Sequence, residues 1–331
     1  MDFQLSDDQR ALRAGVRDLL AGRFGRDRMR AALDAGTDVD RGMWGELGAA
    51  GFFALRLPEA AGGVGLGLPE SVLLLEAAGR VLLPGPLVAT QLAAGAVKGA
   101  AEGGSVVAVL DEGRPVAHLG AADALISLAG EAVRVLEGDA LRTLVRDARP
   151  VRSLDPLTPL HRVTAPAALG DPVPGADGAG LRLEGALLTA AEQLGSAART
   201  TDMAVQHARE RKQFGAPIGS FQAVKHLCAQ MLVRAELART AVYAAAVTAD
   251  PAEIAGAKLL ADEAAVRNAR DCLQVHGGMG FTWEADVHLH LKRAWLRAGQ
   301  WLTAAEAEEL LAADLGRCRG AECRRAPSAS W

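Results

Sequence analysis

Arg209-Glu210-Arg211-Lys212-Gln213-Phe214-Gly215-Ala216-Pro217-Ile218-Gly219-Ser220-Phe221-Gln222 joins two long apolar-periodic runs. Before it, Leu187, Ala191, Leu194, Ala198, Thr201, Val205 and Ala208 advance in alternating steps of four and three. After it, Phe221, Val224, Cys228, Met231, Ala235, Ala238 and Val242 do the same. Both runs predict amphipathic helices whose seams face a bundle core. Gly215 is expected to stop the first helix, Pro217 to forbid its continuation and Ser220 to cap the second. The turn then presents Arg211, Gln213 and Phe214 at a fixed helix end. A guanidinium grips phosphate in a forked geometry, Phe214 can pack on a flat ring, and Gln213 can bond a polar edge. A solvated helix end with Phe214 plugging the core explains the same residues locally.

The wider composition narrows the classes. A chain of 331 residues has room for two or three domains with cores of their own. Half of it is apolar but only 4% is aromatic, so the core must be Ala, Leu and Val in closely packed helices. A net charge of -4 gives no electrostatic case for nucleic acid. Met1-Asp2-Phe3-Gln4-Leu5 lacks a basic, then apolar, secretory leader, and even Val81–Val97 is interrupted by Pro84, Gly85, Pro86, Gln91 and Gly95. The expectation is a soluble cytoplasmic protein with no membrane span. Cys228 and Cys272 fall in helical patterns as small core residues, and Cys318 and Cys323 lack the partners of a metal site.

Ser6-Asp7-Asp8-Gln9 predicts a capping box, and helices are expected over Arg41–Gly51, Ser71–Leu83 and Pro86–Ala100. The loop Gly62-Gly63-Val64-Gly65-Leu66-Gly67 lacks the flanking strand and Lys-Ser/Thr pair of a phosphate cradle, and reads as a connector. From Gly104 short apolar stretches at Ser105–Leu110, Ala124–Leu128, Ala132–Leu136 and Leu181–Leu183 predict a small β domain. Asp250-Pro251-Ala252-Glu253 opens a helix that Gly277 ends, leaving Gln274 beside Gly277 and Gly278. These glycines permit positive φ and a close approach of backbone N–H groups to a phosphate. Thr303-Ala304-Ala305-Glu306 caps a last helix ending near Leu315. The expected domains are 1–103, helical; 104–184, β; 185–316, a helical bundle; and 317–331, a mobile tail.

Glu210-Arg211-Lys212-Gln213-Phe214-Gly215, with Pro217-Ile218 and Phe221-Gln222, closely resembles the acyl-CoA dehydrogenase family. Gln274-Val275-His276-Gly277-Gly278-Met279-Gly280-Phe281-Thr282 resembles that family's glutamine-plus-diglycine loop. Pro58-Glu59, Gly62-Gly63-Val64-Gly65 and Glu76-Ala77-Ala78-Gly79-Arg80 resemble its N-terminal helical domain. The resemblance covers most of the chain. It implies a mainly α, multidomain fold: an N-terminal helical domain, a reduced β domain and a C-terminal four-helix bundle. It also implies FAD as cofactor, α,β-dehydrogenation of an acyl-CoA thioester, and an electron-transfer flavoprotein as acceptor. By resemblance, Arg211, Gln213, Phe214, Gln274, Gly277 and Gly278 contact FAD across a subunit boundary.

The chain also departs from that pattern. The Thr-Glu-Pro-type loop and Trp-x-Thr-type strand that cover the flavin ring are absent between Gly104 and Glu184. The family's reaction needs a carboxylate to take the proton beside the thioester. Counted without gaps from Gly277-Gly278, that position is Trp301, with Thr303 on the family threonine. The other position used in the family is Gly185, with Glu184 one residue earlier and Ala186 where several members place a CoA-contacting Arg. Glu184 is either a displaced base or a solvated residue at a strand-to-helix junction. His276 beside the glycines either touches a phosphate or packs. Three functions stay open: a subunit that completes the FAD site of a catalytic paralogue, as in heterotetrameric steroid-CoA dehydrogenases; a self-sufficient homo-oligomeric dehydrogenase; and a scaffold that has lost FAD.

Overall fold

Ser6 opens the first helix as its sequence predicts. Its hydroxyl accepts from Gln9 N–H and Gln9 Oε1 accepts from Ser6 N–H, each at 3.1 Å. The computed structural model describes residues 4–36, 39–111, 113–164 and 169–323, with side chains up to 316. Its N-terminal layer holds α1 (Asp7–Arg23), α2 (Arg26–Ala35), α3 (Arg41–Ala49), α4 (Leu68–Arg80) and α5 (Leu87–Ala93). α4 starts three residues before the expected Ser71, because Glu70 Oε2 accepts Gly67 N–H at 3.0 Å and fixes the helix start there. α5 ends seven residues short of the expected Ala100; the chain goes on in turns, with Gly99 at φ +80°. Ser71–Gly79 of α4 are buried on every side, which marks an element inside the protein.

The middle region holds β1 (Val107–Asp111), β2 (Val116–Ala117), β3 (Ala124–Ala129), β4 (Ala132–Glu137), α6 (Gly138–Asp147), β5 (Arg149–Val151), β6 (Leu160–Arg162) and β7 (Asp171–Pro172). One sheet runs β1-β3-β4-β7, with β1 and β3 parallel and the other pairs antiparallel. The other sheet is β2-β6-β5, antiparallel throughout. β3 is central in the larger sheet and buried along nearly its whole length, so it reads as an apolar run rather than an alternation. The sequence reading missed α6, which buries Leu141 and Leu144.

The C-terminal region holds α7 (Gly178–Glu210), a hairpin of β8 (Lys212–Gln213) and β9 (Ala216–Pro217), then α8 (Gln222–Thr248), α9 (Pro251–His276), α10 (Val287–Arg297) and α11 (Ala304–Cys323). Leu181–Leu183, expected as a β stretch, lies inside α7, which Asp177 caps by accepting Ala179 N–H at 3.0 Å. α11 runs eight residues past Leu315; of the expected tail, residues 324–331 lie outside the described residues. Asp250 caps α9 through Ala252 and Glu253 N–H, but the capping box stays open. Glu253 instead accepts the Thr248 hydroxyl at 2.8 Å. Gln193 bonds Asp262 at 2.9 Å and Asn268 bonds Thr201 at 3.1 Å, so α7 and α9 run parallel.

Small residues let these helices approach. A Cβ on Gly79 would stand 2.0 Å from Glu192 O, and one on Gly195 2.0 Å from Glu76 O. The α4–α7 crossing is therefore backbone against backbone. The charges trapped beside it are paired: Glu76 Oε1 takes Arg239 Nη1 and Glu76 Oε2 takes the Tyr243 hydroxyl, both at 2.6 Å. Among the described residues no helix is long and apolar enough to cross a membrane, and no His, Cys, Asp and Glu cluster could hold a metal.

Candidate active site

α7 ends at Glu210, before the expected Gly215. The chain then folds back as the β8–β9 hairpin, in which Gln213 faces Ala216. Its two turn residues, Phe214 at φ 52° and Gly215 at φ 78°, both take left-handed backbone, as a tight two-residue hairpin turn requires. Ser220 does not cap α8. Its hydroxyl donates to Pro217 O at 2.7 Å, and Phe221 stands at the cap position without a side-chain bond. Phe214 is not a core plug: it is 91% exposed and meets only the edge of Phe221, at 6.0 Å between centroids. Arg211 is exposed and has no ion pair among the described residues. Gln213 is exposed with its amide turned onto Lys212 O at 2.8 Å.

The second motif lies at the matching end of α9. His207 of α7 and His276 of α9 stack with ring centroids 4.1 Å apart. That contact brings together two motifs some sixty residues apart in sequence, with Arg211 and Gln274 both exposed beside it. His276 Nδ1 lies 2.8 Å from Cys272 O, so that nitrogen carries the proton. Burial lowers the His207 pKa, and His276 and Arg211 push it the same way. Gly277 takes φ 61°, but Gly278 is not at positive φ. Gly277 N–H is spent on the carbonyls of Gln274 and Leu273, so it is not free to hold a phosphate. A Cβ at either glycine would meet nothing within 4 Å. The surface over the turn is open, with Met279 56% and Phe281 78% exposed. An exposed guanidinium, an open glycine turn and exposed aromatic side chains at one bundle end fit a dinucleotide: phosphate for Arg211, a flat ring for Phe214.

The two positions at which the resemblance places a base meet each other. Trp301 is 7% exposed, takes φ 62°, and lies against Gly185. A Cβ on Gly185 would stand 2.2 Å from the indole Cδ2, so no carboxylate fits there while Trp301 keeps its place. Glu184, one residue earlier, points elsewhere: Arg56 holds it through two bonds of 2.7 and 3.0 Å. It lies in the second turn of α7, not at a strand-to-helix junction.

Trp301 closes one side of a cavity of about 410 Å³ between the start of α5, the β1–β2 turn and the end of α10. Glu184 does not line it, whereas Glu192, two turns along α7 from Gly185, does. Arg297 Nη2 donates to Glu192 Oε1 at 2.6 Å, with both groups buried. Burial pushes the Glu192 carboxyl up and the Arg297 guanidinium down to about 10, against their mutual attraction. Arg293 pairs with Asp155, which also accepts the Thr158 hydroxyl at 2.6 Å. Burial opposes, but Arg293 and these bonds hold the Asp155 carboxyl below its usual range. At the side, Arg114 Nη2 donates to both carboxylate oxygens of Glu306, at 2.7 and 2.6 Å. The sequence reading missed this charged wall: Glu192 and Arg297 carry no motif, and only their spacing toward the buried faces of α7 and α10 marks them.

Comparisons with known proteins agree along most of the chain. The family descriptions "Acyl-CoA dehydrogenase, N-terminal domain" and "Acyl-CoA dehydrogenase, C-terminal domain" match residues 6–105 and 183–299. Acyl-CoA dehydrogenase IpdE2 of Mycobacterium tuberculosis is 34% identical over 87% of this chain and 91% of its own length. Acyl-CoA dehydrogenase FadE34 of the same organism is 35% identical, but this chain spans only 45% of it. Among solved structures, the Tcur3481-Tcur3483 steroid ACAD G363A variant superposes with a TM-score of 0.82 at 23% identity, over 95% of this chain and 99% of that one. The glutaryl-coenzyme A dehydrogenase glutaryl-CoA complex does so with a TM-score of 0.79 at 21% identity, over 95% of this chain and 96% of that one. At these identities the structures establish the shared fold.

Proposed function

This chain belongs to the acyl-CoA dehydrogenase family, whose cofactor is FAD, and from that premise we propose that it is the subunit that completes the FAD site of a catalytic paralogue. The observation that carries the reading is a split within one chain. Arg211, Gln213, Phe214 and Gln274 stand exposed at one bundle end, where a dinucleotide held by a second subunit could reach them. The two base positions of its own site are Gly185 and Trp301, packed on each other. FAD, when bound, supplies the two-electron acceptor for α,β-dehydrogenation of an acyl-CoA. This chain supplies a cation for the phosphates, a ring face at Phe214 and an amide at Gln274. The Tcur3481-Tcur3483 enzyme, a steroid ACAD whose name joins two components, supports a two-chain arrangement. Localisation in the cytoplasm and an electron-transfer flavoprotein as acceptor belong to the same reading.

The test compares this chain purified alone with the chain co-expressed with a full-length paralogue, by visible spectrum and solution mass. The partner-subunit reading expects a colourless chain alone and flavin in the heteromeric complex. Arg211→Ala should then lower FAD affinity of the complex by about tenfold or more, since a charge-assisted hydrogen bond contributes about 1.5–3 kcal/mol. Flavin unchanged by Arg211→Ala would favour the scaffold. Stoichiometric FAD in a homo-oligomer of this chain would overturn the proposal in favour of a self-sufficient dehydrogenase. Glu184 is the remaining candidate base for that enzyme. Its hold by Arg56 leads us to expect that Glu184→Gln leaves turnover by the complex unchanged.

A further inference from the structure

A second cavity opens within the N-terminal layer. It holds about 300 Å³ between the end of α1, α2, α3 and the Leu83-Pro84 turn after α4. That is the small end of the roughly 300–1,000 Å³ common to small-molecule sites. Phe24, Met43, Leu47 and Leu83, all buried, make its lining apolar. One wall is set by backbone: Leu82 takes φ 55° and Gly85 φ 109°, on either side of Leu83-Pro84. Left-handed backbone at a leucine persists only where the surrounding structure holds it.

Trp44 brings to this cavity a polar atom that the protein leaves unmatched. It lines the cavity and is 2% exposed, and its Nε1 has no hydrogen-bond partner among the described residues. A buried indole N–H ordinarily finds an acceptor. Packing fixes which way the ring is turned. Phe53 lies tilted against it, 4.7 Å between centroids. A Cβ on Gly85 would stand 2.5 Å from the indole Cζ3 and 3.0 Å from Cη2, so the benzo edge rests on that glycine. Nε1 belongs to the other ring of the indole, on the edge turned from Gly85. The larger cavity beside Trp301 is lined by Gly85 and not by Trp44.

An indole N–H can only donate, so its partner is an acceptor. The charges at the cavity decide between a neutral and an anionic one. Its charged lining residues are Arg28 and Asp40, which hold each other at 3.0 Å, and Arg28 also donates to Arg23 O at 3.0 Å. A second carboxylate would face Asp40 with the neighbouring cation already engaged. A neutral oxygen meets no such opposition. We propose that this cavity is a second ligand site, which takes a compact apolar molecule whose one neutral oxygen accepts the Trp44 indole N–H. The two cavities share no lining residue. The test needs no FAD, so this inference and the cofactor reading can fail separately.

The experiment follows the indole N–H signals by NMR in the full chain, isotope-labelled at tryptophan and in its complex where the chain is obtained that way. The Trp44 signal is assigned by its loss in Trp44→Phe or, should that variant not fold, by its contact with the Phe53 ring. Three probes of similar size are titrated: acetophenone, isopropylbenzene and benzoate. Acetophenone should move the Trp44 signal downfield, and should saturate at about fivefold lower concentration than isopropylbenzene, the ratio for one net neutral hydrogen bond. Benzoate should bind more weakly than the ketone. Ala32→Phe fills the cavity from α2, keeps the indole, and should abolish the shift. A shift that persists in Ala32→Phe would place the ketone elsewhere and overturn the site. Benzoate binding as tightly as acetophenone would overturn the neutral-oxygen assignment. Isopropylbenzene saturating at the same concentration as the ketone, or a Trp44 signal that no probe moves, would sink the proposal.

Discussion

His290 lies inside the bundle with Nδ1 2.7 Å from Ser196 Oγ. Burial first, then Arg199, Arg293, Arg297 and Arg80, drives its pKa down to about 3. The unfolded chain takes up a proton near pH 6.5 that the folded chain refuses until about pH 3. His290 therefore leaves stability untouched above that unfolded value. As pH falls through the window it removes up to about 1.4 kcal/mol per pH unit. His207 and His288 shift the same way but are less buried, so the parent's slope is a sum. His290→Gln should flatten the fall in urea midpoint between pH 6 and 4.5 by up to one proton's worth, and an unchanged slope would show that His290 titrates freely. At this scale the residues proposed to meet the cofactor stand out in the sequence, because Arg211, Phe214 and Gln274 sit in motifs. The buried partners do not. Asp155 and Arg293 are far apart in the chain, and only folding brings them within an ion pair.

The crossing of α4 and α7 shows how an element is placed by what a residue lacks. Gly79 and Gly195 each admit the opposing helix's backbone at a distance a methyl group would occupy. The obstacle is a carbonyl rather than a flexible side chain, so the helices must separate to make room. We expect Gly195→Ala to cost about 3 kcal/mol, the upper part of the range for overpacked cores. Chemical denaturation measures it. A loss below about 0.5 kcal/mol, typical of a surface change, would mean the crossing is looser than described. Helix periodicity placed the long elements of this bundle well, because their seams are sustained over many turns. It misplaced their ends, where single contacts decide. Glu70 started α4 early, Asp177 drew Leu181–Leu183 into α7, and the left-handed pair Phe214-Gly215 made a hairpin of what the sequence suggested was a helix stop. α6 escaped because ten residues inside a strand-rich segment carry too short a period to stand out.

Taken whole, the molecule exposes its large apolar side chains unevenly. Phe214 and Phe281 are 91% and 78% exposed, and both belong to the two motifs that His207 and His276 hold side by side. The buried core elsewhere is built mainly of Ala, Leu and Val, while these aromatic groups are left at one bundle end. A lone exposed phenylalanine needs no explanation, but a group of them beside an arginine with no ion pair among the described residues is the kind of surface that a binding site leaves open. In the proposed assembly both the cofactor and the paralogue cover it. Residues 211–217 and 277–282 should then gain protection from hydrogen–deuterium exchange when the chain joins its paralogue with FAD. The exposed side of α6, at the other sheet-bearing part of the molecule, should exchange as before. Phe214→Asp, which puts a charge where a ring and phosphates are expected, should reduce both flavin retention and assembly while leaving the urea midpoint of the free chain within about 0.5 kcal/mol of the parent's stability. Equal exchange of both motif segments in the free and assembled chain would show that this end faces solvent in the complex. The exposed motifs would then be remnants of a binding surface, and the cofactor-completing role would have to be given up.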